Sequence, residues 1–299
     1  MPSNTRTIRR RISSVKSTRK ITKAMELVAA SKMRRAVSGV LGTRPYTTLA
    51  WETVRSIASV ADPTHHPLLA ERAKIGRVLF VVYTSDRGLC GGYNARLVKE
   101  AQKAIGVQQA EVDVIAIGRR GAASARRTNK EIIAAFQNLT NNPSFADTLP
   151  ISKLILDGYL SGRYDRVVMV YTDYVSAITQ IPRVLDLLPL KPDDELGAVT
   201  TPSAHDSSTP RPIRDYTFEP SPAAVLDFIL PRIVESMVWQ ALLEAAASEH
   251  SARMMAMRNA SDSAKEMIEN LTFTFNQIRQ AGITREIAEI SSGKAALEC

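Results

Sequence analysis

Between Pro231 and Gly282 the chain runs for 50 residues without a glycine or a proline. Those two residues end or bend helices most readily. At about 1.5 Å per residue, an uninterrupted helix of that length spans roughly 75 Å. A compact chain of this size has a radius of gyration of only about 19 Å. Such a helix cannot stay inside a globule. It must project, and a partner must cover its apolar stripe.

The other end of the chain supplies a partner. Residues 1–38 read as one helix, with Ile8, Ile12, Val15, Thr22, Met25, Ala29 and Ala36 recurring on one face. No Gly or Pro lies between Ser3 and Ser38. Gly39, Gly42 and Pro45 weaken the pattern, and a second stretch from Thr47 to Ala61 continues it across an expected kink. Asp62-Pro63 ends it. In the C-terminal helix the expected seam is Ala241, Ala245, Ser248, Ala252, Ala256, Ala260 and Ser263. Small seam residues let two helix axes approach closely. The alternative is that each helix packs separately on the rest of the chain, and their lengths argue against it. Pro231 should kink or break the second helix near its start. Beyond Glu269, Leu271, Phe273, Phe275, Ile278, Ile283, Ile287 and Ile290 cover most of the circumference. An isolated apolar tip of this kind needs a sleeve.

The middle of the chain changes period. Arg77–Tyr83, Val112–Ile117 and Val167–Tyr171 are short, Val-rich apolar runs, as expected of strands buried on both faces. Glu131–Phe136 is a weaker strand, and Val175–Leu190 holds an extra one. Helices are expected at Ala95–Ile105, Arg120–Arg127 and Ser144–Leu160. The alternation implies a parallel sheet with helices on both faces. Residues 191–214 are rich in Pro, Ser, Thr and Asp and read as a flexible surface loop. A short strand at Tyr216–Phe218 and a helix opening at Glu219–Pro222 follow. The division expected is an N-terminal helix over 1–61, an α/β domain over 75–218 and a C-terminal helix over 221–299.

The formal net charge is +9, and its distribution is uneven. Residues 1–35 hold eleven Lys and Arg against one acid, Glu26, so the remainder is close to neutral. That segment should meet something acidic. Nucleic acid fits this charge, but interleaved aromatics and a second basic arm are missing. The Arg- and Ser-rich start could also be read as a transit peptide, but its pattern runs unbroken into the helix. Cys90 and Cys299 form no CxxC pair and suggest neither a disulfide framework nor a zinc site. His65-His66 has no further His or Cys nearby and reads as loop. Met254, Met255 and Met257 read as seam or surface packing. Ser85–Asn94 (SDRGLCGGYN) stands where a phosphate loop would sit, between a strand and a helix. It matches neither GxGxxG nor GxxxxGK[ST], and it reads as a tight turn. No cofactor, no metal and no catalytic residue is expected.

Ile21–Arg35 (ITKAMELVAASKMRR), the Ser85–Asn94 turn, Glu244–Ala260 (EAAASEHSARMMAMRNA) and Ile283–Ile290 (ITREIAEI) together resemble the γ subunit family of F-type ATP synthase. The resemblance runs in order over nearly the whole chain. It departs at Gly293-Lys294, where the family usually has Gly-Ala, and it lacks the chloroplast type's cysteine pair, so no redox switch is expected. The resemblance implies an α/β fold: a long antiparallel coiled coil of the N- and C-terminal helices plus a central Rossmann-like α/β domain. It implies a non-catalytic rotor shaft in an α3β3 ring, present as a single copy, with the ε subunit and the c-ring at its foot. The expected place is the cytoplasmic face of the bacterial inner membrane, peripheral and without insertion, and nucleic acid is not an expected partner. Contact with the ring is implied at Met25, Glu249, Arg253, Arg279, Gln280, Thr284 and Glu286. Lys32, Arg34 and Arg35 of the basic segment are expected to face acidic loops.

Overall fold

The computed structural model describes residues 2–58, 66–128, 130–191, 219 and 221–297. The expected loop at 191–214, apart from Lys191, and the expected strand at Tyr216–Phe218 lie outside the described residues. The elements are α1 (Pro2–Ala58), β1 (Arg77–Tyr83), α2 (Tyr93–Gly106), β2 (Glu111–Ile117), α3 (Arg119–Arg127), β3 (Glu131–Phe136), α4 (Leu149–Leu160), β4 (Arg166–Tyr174), β5 (Gln180–Leu188) and α5 (Pro222–Leu297). A 3-10 turn, Phe145–Thr148, precedes α4. The chain forms two compact units, Met1–Val28 with Met254–Cys299 and Ala29–Arg253. These units cut across both long helices instead of following the helix ends.

In the larger unit the sheet order is β3-β2-β1-β4-β5, with β5 antiparallel to β4 and the other pairs parallel. Successive strand side chains point to opposite faces, so a strand covered on both sides must be apolar throughout. Leu79, Val81, Tyr83, Ile115, Val167 and Met169 pack with Ile151, Ile155 and Tyr159 of α4 and with α5 from Leu226 to Ala245. Their neighbours Val78, Phe80, Val82, Val112, Val114, Val168 and Val170 pack on the other face with Leu97 and Ala101 of α2 and Ala125 of α3. Each fully buried side chain of this kind contributes roughly 1.5–3 kcal/mol of transfer free energy.

Both long helices run on past their expected weak points. α1 continues through Gly39, Gly42 and Pro45, and α5 continues through Pro231. The cause is tertiary. A Cβ on Gly39 would stand 3.1 Å from Leu243 Cδ2, so the glycine marks a close approach of α1 to α5. Ala36 packs with Ala246 and Ala247, and the Thr43 hydroxyl donates to Gln240 Oε1. Numbering rises on α1 as it falls on α5, so the pairing is antiparallel. Proline removes the bond to the carbonyl four residues back. For Pro45 that is Leu41 and for Pro231 it is Asp227; both residues are exposed, so water can serve the carbonyls. Leu230, Ile233 and Val234 are buried around Pro231 and hold the helix in place.

In the smaller unit each helix buries one stripe. On α1 it comprises Ile8 and Thr22, with Ile12, Val15 and Met25 partly covered. On α5 it comprises Met257, Ser261 and Ala264, with Ile268, Leu271, Phe275 and Ile278 partly covered. The α1 face is the one read from the sequence. On α5 the stripe differs from the expectation: Ala256 and Ala260 are only partly covered, and Ser263 is exposed. Repeated steps of four drift around a helix, whereas alternating steps of three and four stay on a seam. From Gln240 to Ala252, by contrast, every residue is buried. There α5 lies between the sheet and α1, so no single stripe exists to be read.

Candidate functional site

The carboxyl ends of β1 and β4, where the strand order reverses, are where a doubly wound sheet usually offers a crevice. In this chain α5 fills that place. The Ser248 hydroxyl donates to the Thr172 carbonyl at 3.1 Å, Tyr93 to that of Ala245 at 3.3 Å, and Ser251 to that of Ala177 at 2.6 Å. Glu244 accepts the Tyr174 N–H at 2.9 Å. The Ser85–Asn94 turn is held just as closely. Leu89 and Gly91 take positive φ. Asp86 accepts the N–H groups of Arg119 (3.2 Å) and Asn138 (2.7 Å), tying three connections together. Asn94 donates to Ser85 Oγ at 2.7 Å and to Cys90 Sγ at 3.2 Å, while Cys90 is buried with Tyr93 and Ala252. His66 links the segment before β1 to α5 through Asp227 at 3.2 Å.

The residues singled out from the sequence fall into three groups. Glu249 and Arg253 lie inside the larger unit, with side chains 4% and 12% exposed and paired at 2.7 Å. Arg253 also donates to the Arg87 and Gly88 carbonyls, each at 3.3 Å, and clamps the turn to α5. Lys32 donates to Asn141 Oδ1 and Arg35 to Asn142 Oδ1, joining α1 to the segment after β3, while Arg34 is exposed. In the smaller unit Met25 is partly covered. Arg279, Gln280, Thr284 and Glu286 belong to a run, 279–294, in which every residue is exposed. Phe273, Ile283, Ile287 and Ile290 are exposed large apolar residues of this unit. On α1 of the same unit Arg6, Arg9, Arg10, Arg11, Lys16, Arg19, Lys20 and Lys23 are all exposed.

A solvent-facing surface of cations and large apolar side chains, on helices that bury only a narrow seam, suits contact with another protein better than chemistry on a small molecule. Comparison with known proteins agrees. The ATP synthase family model matches residues 4–297. An ATP synthase gamma chain of Heliobacterium modesticaldum is 43% identical over 292 residues, covering 98% of each chain. This chain belongs to the ATP synthase gamma family. A chain in the cryo-EM structure of Euglena gracilis mitochondrial ATP synthase, OSCP/F1/c-ring in rotational state 3, matches with a TM-score of 0.66 at 21% identity. It covers 99% of this chain and 95% of that one. A chain of the Euglena gracilis rotor in rotational state 1 matches with a TM-score of 0.60 at 20% identity, over 95% and 100%. At these identities the two structures establish the shared fold.

Sequence reasoning about this gamma-family chain singled out Ser248 and Glu249 but missed the rest of the buried polar group on α5. Its signal was present: Ser248, Glu249, His250 and Ser251 are consecutive, so some of them had to face inward on any helix. His250 donates from Nε2 to the Thr140 carbonyl at 3.1 Å, and its Nδ1 accepts from Arg253 at 3.3 Å. Burial first, then the Arg253 charge, hold its pKa down at about 4 from the usual 6.5; Lys32 adds to this and the Thr140 bond opposes it. A base with a depressed folded pKa stabilises the fold fully above its unfolded value, and that stability is lost as pH falls toward the folded one. The cost is about 1.4 kcal/mol per pH unit inside the window. Burial pushes the Glu249 carboxyl up, against Arg253 and Thr140, and that works in the opposite sense. Urea titrations between pH 7 and pH 4 should show the native chain losing stability below pH 6.5, and His250→Gln losing about 3 kcal/mol less across that window. Parallel pH profiles for the two proteins would refute this assignment.

Proposed function

We propose that this chain is the central rotor shaft of an F-type ATP synthase. It is a non-catalytic subunit that couples ion-driven rotation to conformational change in catalytic β subunits. The observation that carries the reading is the smaller unit. It has two helices that meet on a narrow seam, and its outer surface is exposed, basic on α1 and carrying large apolar side chains on α5. No described helix is long and apolar enough to cross a membrane, so the chain joins the membrane complex as a peripheral subunit, at the cytoplasmic face in a bacterium. The apolar end of α5 turns in an apolar sleeve of the α3β3 ring. The cations of α1, with Arg34, Lys32 and Arg35, face acidic loops of β, and Met25, Arg279, Gln280, Thr284 and Glu286 contact the ring. Glu249 and Arg253 act from inside, by holding the Ser85–Asn94 turn. The larger unit forms the foot, beside ε and the c-ring, with one copy per complex. An asymmetric shaft gives each β subunit a different neighbour and shifts each one's equilibrium differently.

Reconstitution tests this directly. Mixing the chain with α and β subunits should give an assembled ATPase whose activity depends on the chain. Membranes carrying the full complex should pump protons when given ATP. A chain that leaves α3β3 unbound would sink the proposal.

A further inference from the structure

In a parallel sheet each helix runs back against the strands, so all segments leading into strands gather at one end. Here those segments precede β1, β2, β3 and β4, whose starts lie side by side: Arg77 opposite Glu111, Asp113 opposite Glu131, Val78 opposite Arg166. The four starts span about 15 Å at the usual strand spacing. Ion pairs neutralise part of this end, Arg72 with Asp165, Arg77 with Glu111 and Arg166 with Asp186. Lys74, Lys103, Arg126, Arg127, Lys130 and Arg163 make no ion pair among the described residues, and all but the partly covered Lys130 are exposed. Among the described residues, Glu131 and Asp157 are carboxylates at this end that are also without an ion pair. Among the cations stand three large apolar residues, Val107 at 76% exposure, Leu160 at 52% and Ile75 at 45%. Lys103, Arg126 and Arg127 also follow the dipoles of α2 and α3, which accounts for basic residues there but not for the exposed apolar ones.

We infer that this end of the α/β unit rests on an anionic lipid surface, with Lys and Arg on the headgroups and Val107, Leu160 and Ile75 dipping into the interface. Cations interleaved with protruding apolar side chains match an interfacial membrane contact. An acidic polymer without apolar groups would satisfy the charges and leave the apolar residues in water. The inference does not depend on the rotor reading.

The full-length chain with Cys299→Ser and Val107→Cys, labelled with an environment-sensitive dye, provides the test. Vesicles of phosphatidylglycerol mixed with phosphatidylcholine should blue-shift the dye, and pure phosphatidylcholine should not. Each removed charge weakens anionic-surface binding about fivefold. Arg126→Glu with Arg127→Glu should therefore raise the vesicle concentration for half-shift by about 25-fold or more. A dye at Ser14→Cys, on the basic part of α1, should keep its response in that variant. Lys74→Glu with Lys103→Glu serves as an independent second pair if the first fails to fold by circular dichroism. The inference is overturned if the Val107 dye stays unshifted on anionic vesicles, if polyglutamate shifts it equally, or if charge reversal leaves the shift unchanged.

Discussion

Arg253→Met should destabilise the chain by about 3–5 kcal/mol at pH 7, the usual result of leaving a buried charge without its partner. The methionine keeps most of the stem volume and removes the guanidinium, so packing loss is a small part of the effect. Lost with it are the 2.7 Å pair to Glu249, the bonds to the Arg87 and Gly88 carbonyls and the donor to His250. The largest part comes from Glu249, which must then stay charged in a dry site or take a proton. Burial already pushes its carboxyl up, so the cost should shrink toward pH 5, where protonation is cheaper. Glu249→Gln combined with Arg253→Met should recover a large share, because the double variant buries no charge. Arg253→Lys should behave more like the methionine variant, since one ammonium cannot replace a fork that reaches four acceptors. Urea unfolding of the full chain reads each of these. A single variant within 1 kcal/mol of the native chain, or a double variant no better than the single, would refute the brace. Hydrogen exchange at Ser85–Gly92 should rise in the single variant, because the turn loses its tie to α5.

That brace shows how far the sequence could be read. Glu249 and Arg253 stand four apart on a helix, and their type and spacing announce a pair. Nothing in the spacing says whether the pair faces outward to a partner or inward to a turn 165 residues away. The strands were legible because Val78–Tyr83 and Val167–Tyr171 are apolar at every position, which only two-sided burial requires. The seam of α1 was legible because one side is wet and the other dry. On α5 the expected seam residues through Ala252 are buried together with all their neighbours, and beyond them the reading slipped, since small residues such as Ala256, Ser261 and Ser263 differ too little in polarity to mark a face. Pro45 and Pro231 weaken the pattern without ending either helix: a proline's cost is local, while the contacts that outweigh it come from residues far away in sequence. The polar group of Gln240, Glu244, Ser248 and His250 was illegible as a site because its partners, Thr43, Tyr174, Thr172 and Thr140, lie on three other parts of the chain.

The other large effect belongs to a glycine that no motif singles out. Gly118→Ala should cost about 4 kcal/mol or more and leave little folded chain at 37 °C. Gly118 joins β2 to α3 at φ 88 and ψ 149, a conformation close to glycine-only. An added Cβ would stand 2.2 Å from the Thr84 carbonyl oxygen and 2.7 Å from its carbon. Both are backbone atoms, so no rotamer change relieves the clash. Nor can the backbone retreat. The Gly118 N–H donates to the Phe136 carbonyl at 2.8 Å, and Thr84 is held to the Ile117 carbonyl by its N–H at 2.7 Å and its hydroxyl at 2.8 Å. The Gly121 N–H meets the same hydroxyl at 2.7 Å. Moving Gly118 therefore strains the ends of β1, β2 and β3 together, and these carry the turn that Arg253 clamps. Gly106→Ala provides the contrast. Nothing lies within 4 Å of its added Cβ, and its φ is not positive, so the change should stay within about 1 kcal/mol of native stability. Urea unfolding followed by circular dichroism separates the two. If Gly118→Ala unfolds at nearly the native midpoint, then the close approach of Gly118 to Thr84 does not hold the strand ends in register.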